Sequence, residues 1–129
     1  MASTPEGRVK EMVRHILLSH GAYYFMPVSN GMGRHGIPDF MVCVYGRFMG
    51  IETKAGNKLP TDLQMSNLRR IDEAGGIALV INEDNLEELD GVLHVLRING
   101  TPRSNYHLFE RAKKADDPAG GPTLKRRGA

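Results

Sequence analysis

Three side chains in the stretch GIPDFMVCVYGRFMGIETK, residues 36–54, have types and spacing that could do chemistry together: Asp39, Glu52 and Lys54. Asp39 heads one apolar run; Glu52 and Lys54 end the next. A tight corner between the runs pairs them as a hairpin and sets the two carboxylates side by side. Adjacent carboxylates repel and hold either a shared proton or a cation. Hard oxygen ligands with open positions suit Mg²⁺, with Mn²⁺ as a substitute, and a backbone carbonyl at Thr53 could add a ligand. Lys54, two residues on and on the same face as Glu52, could stabilise charge on a phosphate or orient an attacking water. Together these groups imply phosphodiester hydrolysis. A second reading uses the same residues: Asp39 caps a turn, and Glu52 and Lys54 form a solvated pair. Residue types alone leave both open, because P-D followed by E-x-K is a short pattern.

The elements that must position these groups follow from periodicity and punctuation. Thr4-Pro5 is a helix start, a hydroxyl N-cap followed by Pro. Val9, Met12, Val13, Ile16 and Leu17 recur at helical spacing, and Gly21 stops the helix. Residues 22–28 (AYYFMPV) read as a strand at an edge, given Pro27. Residues 29–36 (SNGMGRHG) read as a mobile loop that carries Arg34 and His35 towards Asp39. Residues 40–45 are apolar on both faces and fit an interior strand. Gly46-Arg47 is the expected turn, and 48–54 the partner strand. Thr61-Asp-Leu-Gln64 fits a capping box opening a helix with Leu63, Leu68 and Ile71 on its apolar side, ended by Gly75-Gly76. IALVI (77–81) reads as an interior strand parallel to its neighbour. Asp84 is the expected cap of a last helix, to about Leu96, burying Leu86, Leu89, Leu93 and Leu96. Residues 106–114 suggest a short helix. The predicted order is αβββαβ around a mixed central sheet with a C-terminal helix, an α/β class, with a right-handed crossover.

Bulk properties set limits. The 129 residues suit one domain, over 1–115, followed by a Pro/Gly-rich basic tail, 116–129, expected to be disordered. Seven of the seventeen Lys/Arg but only three of the fifteen Asp/Glu fall within 103–129, a distribution compatible with nucleic-acid contact and also with a solvated tail. No apolar run approaches a membrane span, and the N-terminus lacks a signal-peptide h-region, so a cytoplasmic protein is expected. The one cysteine, Cys43, excludes an internal disulfide and reads as a small core residue. The five histidines are expected to form no metal site: His15 and His20 fall on different helix faces, and His94 and His107 have no partner nearby in sequence. No GxxxxGK[ST] occurs, so no nucleotide cofactor is expected.

Pro38-Asp39 followed by Glu52-Thr53-Lys54 on consecutive strands resembles the PD-(D/E)xK nuclease superfamily and its restriction-endonuclease-like core. More closely, G36-I37-P38-D39-F40, G46-R47-F48, I51-E52-T53-K54-A55, Gln64 and G75-G76 resemble the stand-alone VRR-NUC domain, a small and often phage-encoded form. The resemblance covers about residues 6–81. It implies metal ligation by Asp39 and Glu52, a catalytic Lys54, and help from Gln64 and a glutamate of the first helix. Glu6 shares the face of Val9 and Val13, whereas Glu11 points nearly opposite, so Glu6 is preferred; Lys10 occupies a third position that the family spacing admits.

The resemblance further implies a Mg²⁺-dependent, structure-selective DNA endonuclease with Holliday junctions as the leading substrate. In a phage setting it would act in the cytoplasm of a bacterial host. Paired incisions imply a homodimer, with the last helix and the residues around Tyr106–Phe109 as candidate surfaces. Phosphate contacts are expected from Arg34, His35, Lys58, Arg69, Arg70 and the tail. The alternatives are a flap, nicking or restriction-like endonuclease, or a non-catalytic DNA-binding module.

Overall fold

The computed structural model describes residues 4–28 and 35–110. The predicted order is found: α1 (Pro5–Ser19), β1 (Tyr23–Phe25), β2 (Phe40–Val44), β3 (Arg47–Thr53), α2 (Asp62–Glu73), β4 (Ile77–Ile81) and α3 (Leu86–Arg97), then a 3₁₀ turn at Tyr106–Phe109. The sheet order is β1-β2-β3-β4, antiparallel except for the β3–β4 pair, which is parallel. The parallel pairing follows from α2, which carries the chain back across the sheet before β4 begins.

Apolar periodicity places the layers. Val9, Val13 and Leu17 of α1 and Leu89, Leu93 and Leu96 of α3 bury against Phe40, Val42, Met49, Ile51, Leu79 and Ile81 on one sheet face. On the other face, Met65 and Leu68 of α2 pack with Ala78, Val80 and Tyr106. Residues of β4 are therefore covered on both sides, as its continuous apolar run requires.

Local chemistry explains the element ends. Thr4 Oγ1 accepts from Gly7 N at 3.0 Å and Pro5 takes the first helical position. The capping box of α2 is complete: Gln64 N donates to Thr61 Oγ1 at 3.2 Å, and Thr61 N donates to Gln64 Oε1 at 2.9 Å. Gly36 has φ +78°, and a Cβ there would meet the backbone of Leu63 at 2.8 Å. A side chain would push the turn before Asp39 off the start of α2.

Several expectations are corrected. The hairpin turn is Tyr45-Gly46, one position earlier than Gly46-Arg47, because Val44 pairs with Arg47. Both turn residues have positive φ, 50° and 77°, the type I′ requirement. Strand β1 is shorter than residues 22–28. Met12 and Leu63, read as core-facing, are exposed: the buried stripes are Val9, Val13 and Leu17 on α1 and Met65 and Leu68 on α2, and Met12 and Leu63 lie off them. Asn85, not Asp84, is the N-cap position of α3; its Oδ1 accepts from Asn82 N and its Nδ2 donates to Val80 O, tying the β4–α3 connection.

Cys43 is exposed, not a core residue. It sits in a cross-strand row with Tyr23 and Phe48, both exposed, on the part of the sheet that α2 does not cover. The 3₁₀ turn accounts for the described part of residues 106–114. Arg34 and most of the expected loop at 29–36, residues 111–114 and the tail 116–129 lie outside the described residues.

Candidate active site

Register brings the two carboxylates together. Phe40 pairs with Ile51 in the antiparallel β2–β3 ladder, so the next step of the ladder sets Asp39 opposite Glu52. The Asp39 carboxylate is held by Thr53: Oδ2 accepts from Thr53 N at 2.9 Å and from Thr53 Oγ1 at 2.6 Å. Both bonds land on one oxygen; the other, Oδ1, lies 3.8 Å from Lys10 Nζ.

Glu52 is almost fully buried, an expensive location for a charge. Its Oε2 accepts from Gln64 Nε2 at 3.0 Å and lies 3.8 Å from Lys54 Nζ. Its Oε1 is buried and has no hydrogen-bond partner. Burial pushes the Glu52 carboxyl up to about 8; the neighbouring Asp39 and Glu6 carboxylates add to the rise, and Lys54 opposes it.

Gln64 therefore does two jobs with one amide. The carbonyl end caps α2 and the NH₂ end points into the acidic centre. Lys54 is largely buried, and its backbone N–H donates to Ile81 O at 3.0 Å, which extends the β3–β4 pairing and fixes the side chain's origin.

Helix α1 contributes a second layer of charge. Lys10 Nζ lies 3.5 Å from Glu6 Oε2 and 3.8 Å from Asp39 Oδ1, bridging the helix to the strand carboxylate. Glu6 is thus placed beside the site. Glu11 instead pairs with Arg14, whose Nε donates to Tyr24 Oη, on the far side of the helix. The expected distinction between the two glutamates by helical face agrees with these positions.

The residues expected to meet phosphates are more scattered. His35 and Lys58 are exposed, and the His35 carbonyl accepts from Asn67 Nδ2. Arg69 is taken up by Glu110 at 2.7 Å. Arg70 lines, with Arg47, a cleft of about 740 Å³ whose apolar floor includes Ile37, Met41, Phe48 and Ile71. Two contributors were missed: the Thr53 hydroxyl, expected only as a backbone ligand, and Lys10 as a bridge. Lys10 is legible as Glu6 plus one turn; the Thr53 hydroxyl carries no sequence signal.

The donor set fits a hard dication. Two carboxylates meet, one presents a buried oxygen with no partner, and the oxygen-only ligands match Mg²⁺ chemistry.

Among solved structures, the chain superposes on one described as a "VRR_NUC domain" with a TM-score of 0.60 at 23% identity, over 71% of this chain and 97% of that one. The chain has the VRR-NUC fold. No family model matches the sequence, and no curated protein does. Within that VRR-NUC fold the acidic centre lies where the open ends of β2 and β3 meet the starts of α1 and α2.

The histidines differ from expectation. His20 and His94, far apart in sequence, meet at Asp90 near the opposite end of the sheet. Tertiary packing of α1 against α3 brings them together, and no sequence spacing encodes it.

Proposed function

We propose that this chain is a VRR-NUC family enzyme, a Mg²⁺-dependent, structure-selective DNA endonuclease that cuts four-way junctions as a homodimer. The observation that carries the reading is the buried, unpartnered Oε1 of Glu52 beside Asp39 and Lys54. Two carboxylates held together, one of them buried, call for a shared proton or a cation, and a structural ion pair with Lys54 alone would not bring the second carboxylate in. Asp39, Glu52 and the Thr53 carbonyl would hold the ion, which lowers the pKa of its water and neutralises charge on the reacting phosphate.

The chain's own groups do the rest. Thr53 and Gln64 fix the two carboxylates. Lys54 Nζ donates to a phosphate oxygen or holds the attacking water in line. Lys10 offsets the charge of Glu6 and Asp39, so that the centre binds DNA phosphate instead of repelling it. Lys58, Arg70 and His35, with Arg34 and the basic tail, supply phosphate contacts that position the strand.

Cleavage of labelled junction, flap and linear duplex with Mg²⁺ tests the proposal. Junction cutting should dominate, disappear with chelator, and be lost in Asp39→Asn, which should still fold and bind DNA. Equal cutting of all three substrates would remove the structure selectivity. Binding without cutting in the wild type would favour a DNA-binding module.

A further inference from the structure

A second cluster of ligating side chains lies away from the acidic centre. His20 ends α1 as its C-cap residue and keeps only 7% of its side chain exposed. Both ring nitrogens are engaged: Nε2 lies 2.8 Å from Asp90 Oδ1, and Nδ1 lies 2.9 Å from Tyr45 Oη. The second oxygen of Asp90 lies 3.3 Å from His94 Nε2, one turn further along α3. The two imidazoles meet edge to face with centroids 5.2 Å apart. One ligand atom from each of His20, Asp90 and His94 fits within a span of 4.8 Å.

Tyr45 adds an independent observation. It occupies the first turn position of the β2–β3 hairpin with φ +50°, where Asn, Asp or Gly is favoured and a bulky aromatic is strained. The strained residue is the one whose hydroxyl reaches His20. Strain of this kind persists where the surrounding structure requires it. A hydrogen bond to the far nitrogen of a histidine is what sets the tautomer and orientation of a metal ligand.

We propose that His20, Asp90 and His94 form a zinc-binding site, oriented by Tyr45, that fastens the end of α1 to α3. Two imidazoles and a carboxylate are the nitrogen and oxygen donors that Zn²⁺ prefers, and Mg²⁺ does not favour imidazole. Tetrahedral zinc with bonds of roughly 2.0–2.1 Å spaces its ligand atoms by about 3.3 Å. One ligand atom from each residue already lies within 4.8 Å of the others, so reaching that spacing needs side-chain shifts of about 1.5 Å at most. In the metal-free neutral ring, His20 Nε2–H donates to Asp90 and Nδ1 accepts from Tyr45. With zinc bound, the proton resides on Nδ1 and is donated to Tyr45 Oη, and Nε2 turns its lone pair to the metal. The carbonyl end of α1 lies beside the site, where a cation is favoured. Three protein ligands leave a fourth position for water. From Asp39 to Tyr45 the strand spans about 20 Å, so the two centres do not share a ligand.

The test uses the full chain carrying Asp39→Asn and Glu52→Gln, which disables the acidic centre as a zinc competitor. Calorimetric titration with zinc chloride should give one equivalent bound. The NMR ring signals of His20 and His94 should move, and those of His15, His35 and His107 should not. His94→Ala, at an exposed position, should fold and lose the site. Tyr45→Phe should weaken zinc roughly 10- to 100-fold. Absence of stoichiometric zinc, or zinc binding unchanged by His94→Ala, overturns the proposal. Should His94→Ala fail to fold, unmoved His20 and His94 signals in the parent would overturn it equally.

Discussion

Glu52 carries the most unusual electrostatics of the described residues. Its carboxyl titrates near 8 in the folded chain against an ordinary value of 4.5. Between those pH values the unfolded chain has released its proton and the folded chain has not, so folding loses free energy as pH rises. Apo stability should be highest at or below pH 4.5 as far as this group is concerned, and should fall by up to about 5 kcal/mol by pH 8 and above. Glu52→Gln should flatten that slope, and saturating Mg²⁺ should restore wild-type stability at pH 8 by binding the ionised form. Denaturant titrations at pH 5 and 8, with and without Mg²⁺, check both; a wild-type slope matching that of Glu52→Gln would contradict the assignment. Gln64 gives a second prediction. Gln64→Glu keeps the oxygen that Thr61 N–H uses but removes the donor to Glu52. Helix α2 should stay capped, with unchanged far-UV circular dichroism, while cleavage falls. Gln64→Ala should lose activity and about 1 kcal/mol of stability as well.

At the scale of elements, the free edge of β4 is the exposed liability of a small sheet, and the chain covers it without a fifth strand. Ala78 N donates to Ser104 Oγ, and Asn105 N donates to Ala78 O. Asn105 Oδ1 accepts from Val80 N, and its Nδ2 donates to Val80 O. One asparagine amide thus replaces a strand neighbour, and Tyr106 follows it into the core beneath α2. Tyr106 is therefore a packing residue and not part of a dimer surface, which removes it from the surface expected around 106–109. Asn105→Ala would leave the Val80 N–H buried without a partner, whereas the Val80 carbonyl keeps the bond from Asn85 Nδ2, and should cost roughly 1–3 kcal/mol. The midpoint of urea unfolding measures it; a loss below about 1 kcal/mol would mean that water or a relaxed backbone replaces the amide.

For the whole molecule, charge is arranged by segment. The chain carries +2 overall, and residues 111–129 hold six Lys/Arg against two Asp/Glu. Deleting them turns the net charge to −2 and removes cations that could neutralise DNA phosphates. DNA affinity should drop, and the dependence of log K on log salt should flatten by about 0.9 for each duplex phosphate that the shortened chain leaves unneutralised. An unchanged slope would assign DNA binding to the folded part alone. The proposed junction cutting would need two acidic centres for its paired incisions, so on that proposal the active species should sediment as a dimer, and a monomer that cuts junctions would count against it. No helix among the described residues is long and apolar enough to cross a membrane.

What the sequence determined by itself is local and periodic. The N-cap at Thr4, the capping box at Thr61, the hairpin and the apolar run of β4 are written in neighbouring residues, and they suffice to order αβββαβ. The pairing of Asp39 with Glu52 was legible too, because a short hairpin converts sequence distance into cross-strand proximity. The one-residue shift of the turn was not, since Tyr at positive φ defies the usual preference and is held there by His20. Tertiary packing alone decided that Thr53 Oγ1 reaches Asp39, that Cys43 faces outward, that Asn105 mimics a strand, and that His20, Asp90 and His94 converge. Apart from the Asp90–His94 pair, one turn apart on α3, these placements depend on how separate elements seat against one another, and no local spacing records them.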